Sequence, residues 1–130
     1  GIVAKAALQD AADAVQIATL SVYCRSGKSD VFAALAVDDT PTAMVNPQGK
    51  TIGQALDGQV IECAIPTYAA TNGLDDNDGG VNALYIESSA GVLKAMYPTV
   101  KGNNGDGPAP YVEYPVRIVQ NDTLTVTASL

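Results

Sequence analysis

From Gln16 onward the chain alternates apolar and polar residues in short runs, each closed by a cluster of Gly, Pro, Asn, Asp or Ser. A period of two is the signature of strands with one buried face. In QIATLSVYCR, Leu20, Val22 and Cys24 share one face, and VFAALAV follows a break at Ser26 to Ser29 whose composition suits a hairpin turn. Pro41 closes that strand, TAMV reads as a short edge strand, and Asn46 to Gly49 reads as a turn. Thr51 to Leu56 reads as a helical turn or a loop. QVIECAIP is the next strand, with Ile61, Cys63 and Ile65 on one face and Pro66 as its stop. VNALYIES and GVLKAMYPTV form a hairpin around Ser88 to Gly91, and KGNNGDGPAP reads as an exposed loop. The closing strands are YVEYPVRIV, with Tyr114, Val116 and Ile118 on one face, and TLTVTASL, with Leu124, Val126 and Ala128 on one face.

Residues 2–15 differ. Val3, Ala7, Leu8, Ala11 and Val15 make a helical stripe, with Lys5, Gln9 and Asp13 off it. The expected organisation is an N-terminal helix or arm over residues 1–15 and a β-sandwich domain over 16–130. The fold class is all-β: one sandwich of about eight strands, jelly-roll-like or related, with a short N-terminal helix. No internal repeat or separable linker interrupts it.

At 130 residues the chain is one domain, large enough to bury about two-thirds of its unfolded surface without metals or staples. Seven bases against 14 acids leave a net charge of −7, and the bases are scattered. Nucleic acid is therefore excluded as a direct partner and an anionic membrane surface is disfavoured. No apolar run is long enough for a membrane span, and Lys5, Asp10 and Asp13 interrupt the first 22 residues too early for a secretory signal. A start at Gly1 fits removal of a leader or a trimmed terminus equally well.

Catalytic signatures are absent. There is no histidine, so Ser–His and Cys–His nucleophile systems are excluded. Gly49, Lys50 and Thr51 spell the tail of a phosphate loop without its upstream glycine. Glu62, Glu87 and Glu113 lie in strands and would serve as paired carboxylates only if they shared a cleft; the wet face of strands is the plainer place for them. Cys24 and Cys63 fit buried free thiols or a mutual disulfide. No cofactor is expected, with one exception. Asp75, Asp76 and Asp78 in the DDNDGG loop are the candidate ligands for calcium, although the spacing is not that of an EF-hand and a solvated turn accounts for it too.

The ending YPVRIVQNDTLTVTASL resembles the closing hairpins of short β-sandwich proteins of bacteriophage particles, among them capsid, decoration and fibre modules. The similarity lies in the last twenty or so residues and transfers no functional residue. It implies a non-enzymatic virion structural protein, a capsid or decoration subunit that forms homo-oligomers or binds other virion proteins. On that reading Ile2, Val3, Leu8 and Val15 are the candidate interface, because an apolar stripe needs a partner surface. Tyr111 and Tyr114 join it as amphipathic contact residues beside the glycine-rich loop. The competing expectation is an extracellular module that binds calcium, glycans or both through its 72–80 and 101–110 loops.

Overall fold

The computed structural model describes residues 16–37, 40–70, 81–99, 107–108 and 115–128. The protein is mostly β, arranged as two antiparallel sheets with almost no helix. The strands are β1 (Gln16–Cys24), β2 (Ser29–Val37), β3 (Thr42–Ala43), β4 (Val60–Ala70), β5 (Val81–Glu87), β6 (Leu93–Met96), β7 (Gly107–Pro108), β8 (Val116–Arg117) and β9 (Thr123–Ala128). One sheet has the order β2-β1-β4-β7, with β8 also on β4; the other has the order β3-β9-β5-β6. The helix expected over residues 1–15 lies outside the described residues.

Alternation places Leu20, Val22 and Cys24 of β1 and Phe32 and Ala34 of β2 in the interior. They join Leu84 and Ile86 of β5 and Leu124 and Val126 of β9 in a single buried cluster, so each sheet contributes one apolar face to it. The other face of the first sheet is built from three ranks across its central strands. Tyr23 lies between Ser29 and Cys63, Ser21 between Val31 and Ile65, and Thr19 between Ala33 and Thr67.

The strand β4 departs from the sequence expectation twice. Its register with β1 runs in step to Tyr23↔Cys63 and then shifts to Cys24↔Ile61, so Glu62 is an extra residue. A bulge of this kind exchanges the two faces of a strand. Ile61 is buried, whereas Cys63 and Ile65 turn to the opposite, half-exposed face. Cys24 and Cys63 thus lie on opposite faces and neither forms a disulfide. The second departure is Pro66, which does not end the strand but pairs with Leu20 inside it. Proline is tolerated there because β8 pairs only with Val60 and Ile61 and β7 only with Thr67 and Tyr68. Between them the far side of β4 has no ladder among the described residues, and no N–H is demanded of Pro66. The pairing of Gly107–Pro108 with Tyr68 and Thr67 also makes a short strand where the composition suggested only loop.

Between β3 and β4 the chain forms α1 (Ile52–Leu56). Thr51 caps it: its hydroxyl accepts from Gln54 N, and Gln54 Oε1 accepts from Thr51 N. Such reciprocal caps contribute about 1 kcal/mol. Ile52 and Leu56, one turn apart, are both buried. Gly53 packs against the turn before β9, where a Cβ would stand 2.2 Å from Gln120 O and 2.7 Å from Asp122 O. Only glycine allows that approach.

Candidate functional site

The end of the molecule that carries α1 is polar. Asn46 Oδ1 accepts from Gln48 N and Lys50 N, closing the turn before the helix, and Asn46 Nδ2 donates to Asp30 Oδ2 at 3.0 Å. Lys28 Nζ donates to Ala55 O at 3.2 Å. These residues, with Gln54, line a shallow groove on one side of α1. On the other side a second depression is lined by Thr51, Gln54, Gln120, Asn121, Asp122 and Thr123.

Asp122 anchors that second region. Its Oδ2 accepts from Lys94 Nζ at 2.5 Å and from Val119 N at 2.9 Å, while its Oδ1 is buried with no hydrogen-bond partner among the described residues. Three of the charged groups around α1 hold the local structure together: Lys28 on the helix carbonyl, Asp30 on Asn46, Asp122 on Lys94. Gly49, Lys50 and Thr51, which spell a phosphate-loop tail, form instead the end of the Asn46 turn and the cap of α1.

Among the described residues no three His, Cys, Asp or Glu side chains come together as a metal site would require. Glu62 lies in the first sheet, held by Arg25 Nε at 2.6 Å, and Glu87 lies in the second sheet opposite Thr123. Burial, with Lys28 and Asp30 as lesser and opposed influences, pushes the Cys24 thiol above its ordinary pKa. That is the reverse of an activated nucleophile. The Tyr68 hydroxyl is likewise held protonated by burial and donates to Pro98 O at 2.7 Å.

Asp75, Asp76 and Asp78, the candidate calcium ligands, lie outside the described residues. So do Ile2, Val3, Leu8, Val15, Tyr111 and Tyr114, the candidate interface, and Glu113.

What sequence reasoning missed is an apolar surface. Among the described residues the strand β6 is an edge of its sheet, and Val92, Leu93 and Met96 there are each more than half exposed. Its pairing with β5 shifts between Ile86↔Ala95 and Glu87↔Leu93, so Lys94 is an extra, bulged residue. The bulge carries its amine toward Asp122. In the sequence GVLKAM, Lys94 reads as the charge that protects an edge; only the pairing reveals that it is turned inward. No helix among the described residues is long and apolar enough to cross a membrane. Comparison with protein-family models, with curated proteins and with solved structures finds no match for this chain.

Proposed function

We propose that the chain is a non-enzymatic structural subunit of a virion, a capsid or capsid-decoration protein that works by assembly with copies of itself or with other virion proteins. The observation that carries this reading is the apolar edge at β6. Sheets normally protect an edge with charged side chains. Here the single charge on the strand is neutralised against Asp122, and Val92, Leu93 and Met96 are left facing solvent. Apolar side chains gathered on a surface mark contact with a partner.

The sheet orders support the finer reading of the fold as a β-sandwich of jelly-roll-related topology. The chain crosses between sheets from β2 to β3, from β3 to β4, from β4 to β5, from β6 to β7 and from β8 to β9. Rolls of two four-stranded sheets recur in viral shells. In this chain β1, the first described strand, occupies the place between β2 and β4. The net charge of −7 favours protein neighbours over packaged nucleic acid.

Light scattering of the full chain at low and high concentration tests the reading. The expected result is a defined oligomer, ring or particle whose mass falls when Leu93→Lys and Met96→Lys are introduced together. A single-chain mass at every concentration overturns assembly with copies of itself.

A further inference from the structure

We infer that Lys94 and Asp122 condense in the folded chain into an amide cross-link between their side chains. The inference is independent of the assembly reading above, because both groups belong to one copy.

Two features of the local fold bring the groups together. The β6 bulge turns Lys94 inward, and the turn before β9 holds Asp122 at backbone and side chain. Asp122 N donates to Val119 O at 3.0 Å, and Val119 N donates to Asp122 Oδ2 at 2.9 Å. Lys94 Nζ then stands 2.5 Å from Oδ2. The carboxyl carbon Cγ is one carbon–oxygen bond further, so the nitrogen lies no more than about 3.7 Å from it. Reacting atoms held in a fixed frame at about 3–3.5 Å reach effective molarities of about 10⁵–10⁸ M. A nucleophile and an acyl carbon are thus held close to that separation.

The surroundings favour the product. The Asp122 side chain is fully buried, and its Oδ1 has no hydrogen-bond partner among the described residues. An ionised carboxylate oxygen left bare inside a protein is costly, and a neutral amide oxygen in its place is less so. Condensation removes both charges of the pair at once. The Lys94 side chain is 23% exposed, so the water released has a way out. The Arg25–Glu62 pair has neither advantage: it is solvated, and a guanidinium does not give up a proton to become a nucleophile.

The step balances without a further reactant. The ammonium passes one proton to Oδ2, the neutral amine attacks Cγ, and a second proton from the nitrogen follows to the same oxygen. Oδ2 leaves as water, Oδ1 remains as the amide oxygen, and the nitrogen keeps one hydrogen. The Val119 N–H on Oδ2 steadies the departing oxygen. The new bond ties together two strands that do not pair with each other. In the order β3-β9-β5-β6 it passes β5, from Lys94 on β6 to the residue that precedes β9.

Mass spectrometry of the full chain, purified folded and then denatured, tests the inference. The expected mass is below that of the sequence by one water. Trypsin then has no cleavable bond at Lys94, and residues 51–101 are expected to stay joined to residues 118–130 through the amide. Lys94→Arg keeps a cation beside Asp122 and is expected at its full sequence mass. A parent at full sequence mass overturns the inference, as does the release of 51–94 and 118–130 as separate peptides. A water loss that survives Lys94→Arg belongs to another site and overturns it too.

Discussion

Two ion pairs of the same chemistry occupy opposite environments in this protein. Each is carried on the extra residue of a β-bulge: Glu62 in β4 and Lys94 in β6. Arg25 Nε and Glu62 Oε2 meet at 2.6 Å with side chains 59% and 45% exposed. Lys94 Nζ and Asp122 Oδ2 meet at 2.5 Å with side chains 23% and 0% exposed. Distance does not distinguish them; burial does. Water screens the first pair to about 0–1 kcal/mol. In the second, the Asp122 carboxylate also accepts Val119 N, so it fixes the turn between Ile118 and Leu124, both fully buried. A bulge can thus present a charge to solvent or deliver it to the core, and the consequences differ severalfold.

The comparison is tested most severely at Lys94. Lys94→Met leaves a buried carboxylate without its cation, and the expected loss of unfolding free energy in urea is about 3–5 kcal/mol. A loss no larger than that at Arg25 or Glu62 would erase the distinction. Gly53→Ala attacks the same turn from the helix side. Its Cβ would overlap Gln120 O and Asp122 O, both backbone atoms, so the turn carrying Asp122 must shift. Overpacking of this kind costs about 1–3 kcal/mol, read as a lower urea midpoint.

Tyr68 shows how burial acts on a neutral group. Its pKa is raised by burial from an ordinary value of 10.0. A raised folded-state pKa means that the stabilising contribution is complete below about pH 10 and is lost as pH rises above it. Stability is expected to fall by up to about 1.4 kcal/mol per pH unit there. Urea midpoints between pH 9 and pH 11 measure this, and Tyr68→Phe should remove part of the slope. The smallest effect belongs to Glu62→Gln, expected below about 1 kcal/mol and smaller still in high salt.

Much of the fold was legible as alternation. The faces of β1, the turn at Ser88 to Gly91 and the buried Val116 and Ile118 follow from the pattern of residues along each run. The helix α1 was half legible, because Thr51 and Gln54 have capping-box spacing, yet the segment is only one turn long. Cys63 and Ile65 were assigned to the wrong face, because a bulge depends on the partner strand and leaves no mark in QVIECAIP itself. Pro66 was read as a stop, because the permissive gap between β7 and β8 arises from residues over 40 positions away. The apolar edge was not legible at all: GVLKAM is the same string whether β6 is central or terminal in its sheet.

The sequence by itself therefore determined the mostly β character, the turns and the apolar composition of most strands, because hydrophobic alternation and turn chemistry are local properties of the chain. Only the tertiary structure decided which strands became edges, where the two bulges fell and which of the two ion pairs was buried. Those outcomes depend on what packs against each residue across the sheets, and burial, not residue type, sets the free energy of a charge or an exposed leucine.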